Sequence, residues 1–255
     1  MAGSVHLDST PPIATITFGG TKGNSMPGTL LRSLAQAVVE ASDMPHVRVI
    51  VLRSLGDGPF CAGASFDELA AIENPESGRE FFMGFARVIL AMVQSPRTIV
   101  CRVQGKVVGG GVGLVAACDY AIASDAAAIR LSELAVGIGP FVVGPAIERK
   151  VGPGALAALT LDADWRSARW AERHGLYARV IETAGAGALD DAVETFATRL
   201  ASSNPAAIER IKRITWRDTE HWPQLLSERA ALSGSLVLSP HARDAIAAFR
   251  SRVPT

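Results

Sequence analysis

A mixed α/β fold is predicted by three features of the chain. Val47 to Leu52 is a β-branched run, the mark of a strand buried on both faces of a parallel sheet. Strands of this kind alternate with helical segments through the first two thirds, which calls for helical crossovers. From Ala155 onward Leu, Ala and charged residues recur at helical spacing, with Pro205, Pro223 and Pro240 as breaks. The expected organisation is an α/β core over residues 1–190 and a helical region over 191–255.

The elements follow in order. Ile13 to Phe18 alternates apolar and polar residues, as a short strand does. Thr29 to Val39 carries Leu30, Leu31, Leu34, Ala37 and Val38 at helical spacing after Pro27-Gly28. Phe66 to Ile72 and Gly78 to Gln94 read as helices, and Ile99 to Val103 as the next strand. Val112 to Cys118 is a buried helix entered through glycines, and Tyr120 to Ala123 a strand behind it.

Composition narrows the class. The chain has 255 residues, 48% hydrophobic and 20% charged, the make-up of a globular protein. Lys+Arg and Asp+Glu balance at 25 each, so no net field draws in nucleic acid or an acidic membrane. Cys61, Cys101 and Cys118 suit neither a disulfide framework nor a zinc site; in apolar stretches they read as buried hydrophobes in a reducing compartment. Met1 to Asp8 has no signal-peptide pattern, and Val107 to Cys118 is too short to span a bilayer, so a cytoplasmic setting is expected.

Two Gly-rich segments, each after a hydrophobic strand, carry the chemistry. In Cys61-Ala62-Gly63-Ala64 no bulky side chain shields the backbone, so the Ala64 N–H can face a ligand, although such loops also serve as plain turns. Gly109-Gly110-Gly111 opens a helix, where free N–H groups favour negative charge. Two such donors aimed at one point stabilise a carbonyl becoming an oxyanion. Glu133, in Leu131-Ser132-Glu133-Leu134, offers a carboxylate for proton transfer if burial among Leu131, Leu134, Val136, Ile138 and Phe141 raises its pKa. Gly111 to Ala116 also fits a dinucleotide fingerprint, but its lead-in is overlong and no clear strand ends at Glu133. Glu148, Asp67 and Glu68 are weaker acid candidates, and the five histidines show no partner pattern.

These segments resemble the crotonase superfamily, the enoyl-CoA hydratase/isomerase family. The likeness runs over nearly the whole chain: Lys22 to Met26, Phe60 to Ala64, Val103 to Gly111, Ala117 to Tyr120, Ser132 to Gly137, Ala171 to Leu176, and Ser239 to Phe249. It implies a repeated ββα spiral core with a C-terminal helical trimerisation region, and a homotrimer or a hexamer built from two trimers. It implies an acyl-CoA thioester substrate, with no separate cofactor and no metal. The oxyanion hole would be Ala64 and Gly110, the general acid–base Glu133. Ala62, Gly63, Ser65, Phe66, Gly109, Gly113 and Phe141 would contact substrate, with Lys22 and Arg32 as candidate phosphate contacts that also read as ordinary surface charges.

One departure from the family pattern bears on the reaction. Classical hydratases of the family carry two glutamates; here the first position is Gly113, and only Glu133 stands. A single carboxylate suits a shuttle that moves a proton from C2 to C4, converting 3-enoyl-CoA to 2-enoyl-CoA. Phe60 to Leu69 and Val108 to Leu114 also resemble hydratases, including those acting on methylglutaconyl-CoA. Hydration is therefore the alternative expectation. A nicotinamide-dependent oxidoreductase and a catalytically silent RNA-binding or oligomeric member are remoter ones.

Overall fold

The computed structural model describes residues 3–182 and 187–252. A six-stranded sheet runs β1-β2-β3-β4-β6-β8. Strand β1 (Ser4–Thr10) is antiparallel to β2 (Ile13–Gly19). From there β3 (Val49–Ser54), β4 (Thr98–Val103), β6 (Tyr120–Ser124) and β8 (Arg179–Ile181) add in parallel. A second, two-stranded parallel sheet joins β5 (Val107–Val108) to β7 (Ile129–Arg130).

The β-branched run lies where a doubly buried strand must. Successive β3 side chains point to opposite faces, so Ile50 and Leu52 enter the main core while Val49 and Val51 enter a second one. The main core also holds the apolar stripes of α2 (Gly28–Asp43) and α4 (Pro75–Gln94), after the short elements α1 (Thr21–Asn24) and α3 (Phe66–Ala70). The second core lies under α8 (Ala188–Ala201), through Leu189, Val193 and Ala197. Helix α8 therefore covers the sheet while straddling residue 190.

The spiral is seen directly. Strand β4 of the large sheet leads to β5 of the small one and then to α5 (Gly110–Ala117). Strand β6 leads in the same way to β7, then to a 3-10 turn at Leu134–Val136 and α6 (Gly144–Asp162). Beyond α7 (Ala168–Arg173) and β8, the chain ends in α8, α9 (Pro205–Thr215), α10 (Trp222–Leu236) and α11 (Pro240–Arg252). Helix α10 packs along α4.

Three expectations need correction. Strands β1, β5, β7 and β8 are additional to those read from the sequence. Helix α4 begins at Pro75 rather than Gly78, because the Asn74 side chain caps it by accepting the Ser77 N–H at 2.9 Å. Helix α3 stops at Ala70, two residues before the expected Ile72, which is itself buried. All three cysteines are free and buried, and burial lifts the Cys61 thiol to about 12.

Candidate active site

The small sheet assembles the site. Cys61 bridges to Val107 alongside β5, and β5 pairs with β7, so three remote segments run side by side. Hydrogen bonds from Val108 N–H to the Cys61 carbonyl and from Gly109 N–H to the Arg130 carbonyl, each 2.8 Å, lock the register. Just past this seam the chain releases Ala64, Gly110 and Glu133 into one cavity.

Backbone pairing decides where Ala64 points. Met26 donates to the Gly63 carbonyl at 2.8 Å and accepts from the Ser65 N–H at 3.2 Å, forming a parallel bridge with Ala64. The groups of a bridged residue alternate away from its partner, so the Ala64 N–H faces away from Met26, and Ala64 itself lines the cavity. Gly110 is the first residue of α5, and its N–H has no intrahelical acceptor. Among the described residues neither N–H has a protein partner.

Glycine is required at both entry positions. Gly109 takes φ +52°, and a Cβ there would stand 3.1 Å from the Glu133 Oε1. A Cβ on Gly110 would fall 2.1 Å from the Phe85 ring. The bare backbone thus lets Glu133 lie over the loop and Phe85 press against the start of the helix.

Glu133 immediately precedes the 3-10 turn, and its carbonyl accepts from Val136 at 3.1 Å and Ile138 at 3.0 Å, which fixes the backbone. Its Oε2 is buried and has no hydrogen-bond partner among the described residues. Burial raises its pKa to about 7, against the opposing pull of the Glu133 and Ser132 N–H groups. Most of the expected apolar shell is present, but Leu134 is 45% exposed and turns outward. Phe82, Phe85, Val142 and Val143 complete the cavity wall instead.

The cavity, about 50 Å³, brings together Ala62, Gly63, Ala64, Phe66, Gly109, Gly110, Glu133 and Phe141. It does not include Ser65 or Gly113. Ser65 instead caps α3, accepting the Glu68 N–H. Gly113 faces Val143: a Cβ on it would be 2.5 Å from the Val143 Cβ. The weaker acid candidates lie elsewhere. Asp67 pairs with Lys22 at 2.5 Å, which holds its carboxyl below the usual range. Glu68 accepts the Gly28 N–H at 2.7 Å, and Glu148 is exposed. Arg32 lies beside a separate surface groove with Glu80 and Arg87.

Residues not singled out individually in the sequence also enter. Phe82 and Phe85 come from α4, Val143 from the lead into α6, and Ser233 from α10. The cluster Phe81-Phe82-Phe85 was the available signal for α4, and the stretch Phe141 to Ile147 that for Val143; nothing local marked Ser233. The dinucleotide context is also altered, because α5 starts from β5 of the small sheet and not directly from β4.

Comparisons with known proteins bear on the family and the fold. A family model described as enoyl-CoA hydratase/isomerase matches residues 9–252. A carnitinyl-CoA dehydratase of Salmonella arizonae is 29% identical over 250 residues, 96% of this chain and 94% of the relative. The crystal structure of an enoyl-CoA hydratase from Mycobacterium avium superposes with a TM-score of 0.83 at 28% identity, covering 97% of this chain and 96% of the other. That of an enoyl-CoA hydratase from Bacillus halodurans gives a TM-score of 0.87 at 22% identity, covering 96% and 99%, and speaks to the fold.

Proposed function

The chain belongs to the enoyl-CoA hydratase/isomerase family, and from that premise we propose that it moves a proton along an acyl-CoA thioester through an enolate, converting a 3-enoyl to a 2-enoyl chain. The observation that carries this reading is that Glu133 is the one titratable side chain lining the cavity among the described residues. Among the described residues no second carboxylate lines the cavity to share the work of activating water.

The steps balance around that group. Ionised Glu133 takes the C2 proton, and the electron pair left behind delocalises onto the thioester oxygen. The N–H groups of Ala64 and Gly110 hold that oxygen as its charge develops, each such donor being worth about 10²–10³ in rate. Glu133, now protonated, returns the proton at C4, and the double bond shifts to C2–C3. A carboxylate with a pKa near 7 serves both halves, because it is neither too weak a base nor too weak an acid at neutral pH. CoA enters as part of the substrate, and the backbone of Ala62 to Phe66 is the stretch proposed to meet it.

Hydration or its reverse is the second reading, favoured by the dehydratase name of the Salmonella relative. It requires a group other than a second carboxylate to orient water. The two part on 3-butenoyl-CoA: the primary reading expects wild-type protein to yield the conjugated thioester and Glu133→Gln to lose at least about 10² in kcat. Full activity in that variant would remove Glu133 from the reaction.

Self-association into a trimer, or a pair of trimers, is also proposed. It is supported by exposed apolar side chains, including Ile211 and Ile214 on α9, each 62% exposed, and Leu161 at 73%. A cytoplasmic setting is supported by the three free cysteines. No described helix is long and apolar enough to cross a membrane.

A further inference from the structure

Three buried side-chain polar atoms among the described residues have no hydrogen-bond partner: Arg53 Nε, Glu133 Oε2 and Ser233 Oγ. The last two belong to residues lining the same cavity. Glu133 has a role in the proposed chemistry. Ser233 has none, yet it is only 1% exposed.

The hydroxyl is held in place by the packing of its helix. Gly234, the next residue, meets α4 backbone to backbone: a Cβ on it would be 2.4 Å from the Arg79 nitrogen, and one on Gly78 2.7 Å from the Gly234 Cα. This close crossing presses Ser233 against the cavity wall beside Phe82 and Phe85. Other helical serines satisfy themselves locally. Ser42 donates to the Val38 carbonyl at 2.6 Å, and Ser235, one half-turn on from Ser233, donates to the Leu232 carbonyl at 2.9 Å. Ser233 does neither, and a buried hydroxyl left unpaired is a standing cost that a ligand oxygen can relieve.

We propose that Ser233 is a specificity-determining residue whose hydroxyl hydrogen-bonds an oxygen carried by the acyl chain, so that the substrate is a short acyl-CoA bearing a neutral oxygen substituent. This rests on the reading of the cavity as an acyl-CoA site. The cavity is small, about 50 Å³, and walled by Phe82, Phe85 and Phe141, which favours a short acyl chain over a long one. Among the described residues no Lys or Arg lines the cavity, so a hydroxyl or carbonyl suits it better than a second carboxylate.

Calorimetric titration with butyryl-CoA, 4-hydroxybutyryl-CoA and octanoyl-CoA tests the proposal without depending on turnover. Wild-type protein should bind the hydroxylated thioester about tenfold more tightly than butyryl-CoA, the worth of one good hydrogen bond. Ser233→Ala should abolish that preference by weakening the hydroxylated ligand alone. Ser233→Cys, nearly isosteric and a weak donor, should do the same and serves if the alanine variant folds poorly. Equal affinity of the two C4 thioesters for wild type, a preference that survives both substitutions, or octanoyl-CoA binding as tightly as butyryl-CoA would overturn the proposal. Binding of none of the three by folded wild-type protein would instead bring down the acyl-CoA reading, and this inference with it.

Discussion

Val143 occupies the space that a side chain at Gly113 would need: a Cβ built on Gly113 falls 2.5 Å from both the Cβ and the Cγ1 of Val143. The position that the resemblance aligns with the first glutamate of classical hydratases is thus closed by packing, not merely left vacant. Gly113→Glu is expected to cost about 1–3 kcal/mol by overpacking, read as a lowered Tm, and to confer no hydratase activity. Pairing it with Val143→Ala should recover most of the lost stability.

Gly110 stands in a similar relation to Phe85. A methyl at 110 would come 2.1 Å from the ring, so Gly110→Ala must displace either the ring or the start of α5. Loss of one aligned donor should lower kcat by about 10²–10³. Phe85→Leu in the same chain should restore part of it by making room, as steady-state kinetics would show.

The raised pKa of Glu133 ties activity to stability. The carboxyl titrates near 7 when folded against an ordinary value of 4.5, so the protein holds its proton more tightly in the native state. The stability this contributes is fully present below pH 4.5 and is lost as pH rises through 7. Glu133→Gln should therefore be more stable than wild type above pH 7, by on the order of 3 kcal/mol, with the gap closing in acid. Chemical denaturation across the pH range measures this. The isomerisation rate, which needs the ionised base first, should rise with pH through about 7 and level off.

A buried polar knot away from the cavity sets another expectation. Asp119 accepts from the Ile99 N–H at 2.7 Å, the Lys212 Nζ at 2.9 Å and the Trp216 Nε1 at 2.7 Å, tying β4 and β6 to α9. Lys212 also donates to the Met92 and Arg97 carbonyls, and its side chain is 5% exposed. Asp119→Ala should cost about 3–5 kcal/mol by stranding a buried ammonium. Lys212→Met in the same chain should cost less than the sum of the two single changes, which a double-mutant cycle reads directly.

What the sequence revealed and what it hid follow from the range of the interactions. Ala64, Gly110 and Glu133 were legible because bare glycine turns and a lone acid are local patterns, and all three line one cavity. The β3 run was legible because burial on two faces leaves no polar alternation. Strand β1 was not read, although Val5 and Leu7 alternate with exposed His6 and Asp8, because such a short edge alternation is a weak signal. The start of α4 was carried by Asn74-Pro75 and Ser77, capping chemistry overshadowed by the apolar spacing that follows. Val143 and Ser233 each acquire their meaning from a residue on another element, Gly113 for the first and Gly78 across the α4–α10 crossing for the second.

The central claim, one carboxylate shuttling one proton beneath two backbone donors, is tested most directly by isotope mass spectrometry. Purified protein would be incubated with a 3-enoyl-CoA and, separately, with the matching 2-enoyl-CoA in heavy-oxygen water. The account predicts interconversion of the two thioesters with no heavy oxygen incorporated, and loss of that interconversion in Glu133→Gln. Heavy oxygen appearing in a 3-hydroxyacyl-CoA product, or isomerisation that persists undiminished in Glu133→Gln, would contradict it.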